Sequence, residues 1–141
     1  MKISSIRLNN FKRFTDLRIK NIPDTTKLVL IVGPNGCGKS SLFDALLQWY
    51  RGIAGFGYNT DEPYFRKDLS LQFEWNESVS VTLHGNATPK RGSLYVRTAY
   101  RNYPDFSTGG FSRPEIPSEG IRIARVIDND QTVGTNYQRL I

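Results

Sequence analysis

The residues best equipped for chemistry form one uninterrupted run, Gly33-Pro34-Asn35-Gly36-Cys37-Gly38-Lys39-Ser40. They satisfy the pattern G-x-x-x-x-G-K-[ST] in full, a match that arises by chance well under about once in a hundred chains of this size. Such a loop binds phosphate. Glycines let main-chain N–H groups close on a phosphate with no Cβ between them, so Asn35, Gly36 and Gly38 are predicted to form the cradle. Lys39 is predicted to reach the β- and γ-phosphates, the Ser40 hydroxyl to ligate Mg²⁺, and Ser41 to touch the α-phosphate. The implied ligands are ATP, in preference to GTP, and Mg²⁺. Cys37 reads as a spacer that points away from the nucleotide, within N–H dipoles that favour its thiolate.

A phosphate loop works only between a strand that delivers it and a helix whose N-terminus it opens. Residues 27 to 32, KLVLIV, are a continuous apolar run rich in β-branched side chains, which predicts a central strand covered on both faces. From Lys39 to Tyr50, the residues Leu42, Phe43, Leu46, Leu47 and Trp49 recur near helical spacing, and Gly52 and Gly55 end the pattern. Upstream, Ile3, Ile6 and Leu8 alternate with polar positions, with an irregular step at Ser4 and Ser5; Phe14, Leu17 and Ile19 repeat the alternation. These predict an antiparallel pair of half-buried strands joined by a short Asn-rich turn.

Downstream, residues 52 to 63 are too glycine-rich for regular structure and predict a mobile loop, able to serve as a flap over the nucleotide. LQFEW at 71 to 75 and SVSVTLHG at 78 to 85 predict a hairpin through Asn76-Glu77, with GSLYVRTAY at 92 to 100 a further strand. Residues 102 to 120, punctuated by Pro104, Pro114 and Pro117, predict an irregular connection. Asp130 or Thr132 is placed to cap a terminal helix that carries Val133, Tyr137, Leu140 and Ile141.

The 141 residues suit one domain, and 38% hydrophobic content supplies one modest core. A single cysteine excludes an internal disulfide and any multi-cysteine metal site, which fits a reducing, cytoplasmic setting. No apolar run approaches membrane-spanning length, so no membrane partner is expected. The net charge is +6, and Lys2, Arg7, Lys12, Arg13, Arg18 and Lys20 face one acid, Asp16, in the first twenty residues. That excess suits a polyanion, nucleotide phosphate or nucleic acid. Tyr95, Arg97, Tyr100, Arg101 and Tyr103 interleave cations with aromatics, a composition able to stack bases but equally that of an amphipathic strand.

Taken together, KISSIRLNNFKRF, the second strand and LVLIVGPNGCGKSSLFDAL resemble the opening of the ABC-type ATPase heads of SMC, RecF, RecN and OLD-like proteins. The resemblance rests on Asn10-Phe11-Lys12-Arg13, on the G-x-N-G-x-G-K-[ST]-[ST] form with Asn35, and on the aliphatic helix that follows. It implies an α/β fold: a P-loop NTPase N-terminal lobe with a mixed β-sheet, one P-loop helix and an antiparallel β-subdomain. It also implies that Lys12 and Arg13 lie near the nucleotide phosphates, that heads dimerise around ATP, and that DNA is a candidate partner in repair, chromosome maintenance or anti-phage defence.

Hydrolysis in such heads needs more than this loop. Arg125-Val126-Ile127-Asp128 makes a poor Walker B strand, because Asn129 stands where a glutamate is required. Ser107 to Phe111 echoes the signature sequence, yet Pro114 and Pro117 oppose the helix that a signature must open. Gln131 and Gln138 read as solvated positions and His84 as a surface residue. The expectation is therefore a single lobe, residues 1 to 141, that lacks the Walker B and signature half and binds ATP rather than hydrolysing it. A complete small P-loop kinase, and a nucleic-acid module with a regulatory or vestigial loop, are the alternatives.

Overall fold

The computed structural model describes residues 1 to 85, 88 to 96 and 125 to 128. The predicted terminal helix, the strand beyond Val96, the signature-like segment and both glutamines lie outside these residues.

Alternation dictates the first two elements. Strand β1 (Ile3–Phe11) turns Ile6, Leu8 and Phe11 to the core, and β2 (Phe14–Ile19) pairs with it antiparallel, with Leu8 opposite Leu17 and Phe11 opposite Phe14. The turn between them is Lys12-Arg13 rather than the asparagine pair, with Lys12 left-handed at φ 50°. Helix α1 (Lys39–Ile53) then packs Leu42, Ala45, Trp49 and Tyr50 against the β1 face. Its buried stripe is rotated from the sequence reading, since Phe43 is exposed. Ala54 closes the helix by donating its N–H to the Tyr50 carbonyl.

Two four-residue helices follow, α2 (Glu62–Phe65) and α3 (Trp75–Ser78), and then strand β3 (Val79–Leu83). Strand β3 pairs antiparallel with β1, giving the sheet order β2-β1-β3. The irregular step at Ser4-Ser5 reappears as a shift of register between Ile3 and Ser5. No hairpin forms at Asn76-Glu77. Residues 71 to 74 belong to no strand, and Trp75 is drawn instead into an aromatic cluster. It stacks on Tyr58 with centroids 5.0 Å apart and meets Phe65 and Phe73 edge-on at 5.2 and 5.0 Å.

The largest departure lies just before the phosphate loop. Residues 27 to 32 form no strand, and Leu28, Leu30 and Val32 are 82%, 77% and 78% exposed, whereas Ile31 packs on the core. An apolar run becomes a central strand only when neighbouring strands and a second layer cover it. Among the described residues no strand does so.

Candidate functional site

The loop and the start of α1 enclose a pocket of about 260 Å³, lined by Asn35, Gly36, Gly38, Lys39, Ser40 and Ser41 and, from the β1–β2 turn, Arg13. Seven of the eight site residues predicted from sequence therefore meet. Lys12 does not join them.

Each wall has a local cause. Gly38 stands at the N-cap of α1 with φ +107°, and a Cβ there would lie 2.5 Å from Cζ of Phe14. Only glycine fits both the conformation and the space. Gly36, at φ +83°, is also left-handed, and a Cβ there would lie 3.4 Å from Nη1 of Arg13. The loop is therefore shaved of side chains where the Arg13 guanidinium approaches it. No side chain caps α1, and its first turn contains no acid, so its leading N–H groups and positive dipole end remain available to an anion.

Lys39 is folded back onto the loop. Its ammonium donates to the carbonyls of Gly33 and Pro34 at 2.7 and 2.8 Å and lies 3.7 Å from Sγ of Cys37. Cys37 is exposed, with its sulfur against Gly33, where a Cβ would come within 2.7 Å of it. Ser40 is exposed and Ser41 is buried. The site thus offers two cations, a helix N-terminus and a hydroxyl around a pocket bare of acids. That set has the chemistry to complement a polyphosphate and its divalent counter-ion. Among the described residues, no group of three His, Cys, Asp or Glu is placed to hold a metal by itself.

Lys12 goes elsewhere. Its ammonium contacts Oδ2 of Asp44 at 2.6 Å and stands 3.9 Å from the centroid of the Tyr64 ring. Asp44 is completely buried, and its Oδ1 accepts the Val126 N–H at 2.6 Å. Sequence reasoning missed Asp44, although an aspartate inside the apolar run LFDALL is itself a signal, because a buried carboxylate requires a partner.

The remaining motif residues hold the turn. Asn10, buried and left-handed at φ 48°, exchanges hydrogen bonds with the backbone of Asp68: its Nδ2 donates to the carbonyl at 3.1 Å and its Oδ1 accepts the N–H at 2.8 Å. Residues 125 to 128 form a turn, in which Asp128 accepts from the Arg125 backbone N–H and Nε. His84 is half-buried, with Nε2 2.7 Å from the Ile22 carbonyl. Tyr95 is exposed. Arg97, Tyr100, Arg101 and Tyr103 lie outside the described residues. No helix among those described is long and apolar enough to cross a membrane.

The comparisons with known proteins agree with this geometry. Residues 5–138 match the AAA domain family. The chain is 44% identical to the chromosome partition protein Smc of Bordetella petrii over 132 residues, 94% of this chain and 10% of that protein. It is 43% identical to Smc of Cereibacter sphaeroides over 98% of this chain and 10% of that protein. It is also 36% identical to the DNA double-strand break repair Rad50 ATPase of Methanocaldococcus jannaschii over 80 residues, 57% of this chain and 8% of that protein. The chain belongs to the AAA domain family, and its relatives set it with the N-terminal regions of SMC- and Rad50-like ABC-type ATPases. It spans a tenth or less of the length of these relatives. No solved structure matches it.

Proposed function

We propose that this chain is the ATP-binding lobe of an SMC/Rad50-like ATPase, and that the Walker B and signature half of the site is supplied by sequence beyond this lobe. The observation that carries the reading is the convergence of Arg13, Lys39 and the uncapped N-terminus of α1 on one glycine-walled pocket. The fit of an ATP polyphosphate rests on the absent side chains at Gly36 and Gly38, where a Cβ would meet Arg13 or Phe14. Asn35, Gly36 and Gly38 would hold the phosphates through main-chain N–H groups, with Lys39 and Arg13 balancing their charge and Ser40 ligating Mg²⁺. When bound, ATP would supply the phosphoanhydride whose cleavage drives such machines. Lys39 must first leave the Gly33 and Pro34 carbonyls, which hold its charge in the meantime.

The partial-site reading is supported by the exposed side of residues 28 to 32, an apolar strip immediately before the loop. A head–head dimer and DNA are the proposed partners, and the cytoplasm the proposed location. The relatives are named for chromosome partition and double-strand break repair, which favours DNA handling over anti-phage defence as the task. Isothermal calorimetry with Mg-ATP tests the core of the proposal. Lys39→Ala should weaken binding by at least about tenfold, the worth of one charge-assisted contact, and turnover by the 141-residue chain should be negligible. Equal affinity in Lys39→Ala would reject the loop as the site, and rapid turnover would reject the missing half.

A further inference from the structure

Asp44 is placed oddly for a carboxylate: at the middle of α1, wholly buried, on the helix that begins at the phosphate loop. Both its oxygens are committed, Oδ2 to the Lys12 ammonium and Oδ1 to the Val126 N–H, each at 2.6 Å. The Lys12 side chain is itself only 17% exposed. A buried ion pair of this kind contributes little net stability compared with an apolar pair, because desolvation offsets the attraction. Its best-attested use is to fix a register, since either charge left alone inside the protein is strongly unfavourable.

What this pair fixes follows from the chain. Lys12 and Arg13 are the two residues of the β1–β2 turn. The backbone N–H of Lys12 is tied to the Phe65 carbonyl at 2.7 Å, and its side chain reaches α1, so the turn is anchored from two sides. Arg13, the other residue of that turn, is exposed and lies along the loop. Its stem lies beside Gly38, with Cδ 3.3 Å from where a Cβ would stand, and its guanidinium lies over Gly36. The glycines leave the room, and the Lys12 anchor points the cation into it.

We infer that Asp44 is a positioning residue for the phosphate cradle: through its ion pair with Lys12 it holds the β1–β2 turn so that Arg13 stands over Gly36 and Gly38, where it meets the polyphosphate of a nucleoside triphosphate. This rests on the nucleotide reading given above. Lys12 accordingly acts on the ligand through its neighbour rather than by contact. A freed turn leaves Arg13 to sample solvent, so affinity falls although every pocket residue is still present.

The test is a double-mutant cycle on the 141-residue chain, read by calorimetry with Mg-ATP. Asp44→Asn keeps an acceptor for the Val126 N–H and replaces the carboxylate oxygen opposite Lys12 with a neutral NH2 that cannot accept from it. Asp44→Asn and Arg13→Ala should each weaken binding by about tenfold, and the double variant by no more than Arg13→Ala alone. Lys12→Met combined with Asp44→Asn removes the pair without leaving a buried charge, so it keeps the cycle readable if Asp44→Asn alone does not fold. Lys12→Arg, which keeps a cation opposite Asp44, should hold affinity within about threefold of the wild type. Wild-type affinity in Asp44→Asn, or losses that multiply to about a hundredfold in the double variant, would overturn the positioning role while Lys39→Ala still reports the nucleotide site. Absence of Mg-ATP binding in the wild type would overturn the nucleotide reading and this inference with it.

Discussion

At Gly38 the sequence motif and the fold make the same demand for different reasons. The phosphate needs an unobstructed N–H, and Phe14 needs the space that a Cβ would take. Gly38→Ala should therefore combine left-handed strain of about 1–2 kcal/mol with a steric term of similar size. Gly57, at φ +74° with nothing within 4 Å, isolates the strain alone, so Gly57→Ala should cost only about 1 kcal/mol. Urea denaturation of the two variants measures the difference, and equal losses would show that Phe14 gives way. Two exposed carboxylates contribute to the acid limit. Asp16 is held below its usual 3.8 chiefly by its hydrogen bonds from Arg18, and Asp68 likewise by the Ser70 hydroxyl. A lowered pKa means a contribution fully present above the ordinary value and lost as pH falls through the lowered one. Melting temperature should thus be insensitive to these groups from neutral to alkaline pH and should fall below about pH 4. Asp16→Asn with Asp68→Asn should flatten that acid limb and leave a constant offset at pH 7. An unchanged limb would assign it to other groups.

Among the elements, the end of β1, just before the turn, is tied to residues 67 and 68 by Asn10. Its amide serves both the N–H and the carbonyl of Asp68, and its backbone carbonyl accepts from Lys67 N–H at 3.2 Å. Asn10→Ala leaves the part-buried N–H and carbonyl of Asp68 without their partner and should cost about 0.5–1.5 kcal/mol; a loss under half of that in urea denaturation would mean the 65–68 segment holds itself. Alternation made β1 and β2 legible in the sequence, down to the irregularity at Ser4-Ser5, because half-buried strands write their burial into every second residue. The glycine motif made the pocket legible, since few other conformations need glycine at both 36 and 38. Helical spacing gave α1 but not its orientation: Phe43 was indistinguishable from Leu42 by hydropathy. Residues 71 to 78 misled because buried Phe73 and half-buried Trp75 pack on each other, with Trp75 also meeting Phe65, an aromatic contact that alternation imitates. Lys12 and Asp44 lie 32 positions apart, and nothing local announces their pairing.

For the whole molecule, the informative feature is an asymmetry of cover. The sheet β2-β1-β3 lies against α1, while in the run from Leu28 to Val32 only Ile31 packs on the core, and Leu28, Val29, Leu30 and Val32 are exposed. Four exposed apolar side chains within five residues make a strip suited to a strand-bearing neighbour and prone to self-association without one. If the neighbour is the other half of a P-loop sheet, a charge on this strip has opposite consequences in two settings. In the 141-residue chain, Leu30→Lys should change stability by no more than about 0.5 kcal/mol, as an exposed substitution does, and should lower self-association as measured by sedimentation velocity over a concentration series. In a longer protein that carries the remaining strands, the same lysine would be buried and should destabilise by several kcal/mol, on the order of 3 or more. A large loss already in the short chain would mean that Leu30 is covered within this lobe. Equal small effects in both settings would mean that the strip stays open and that the phosphate loop is delivered by something other than a completed sheet.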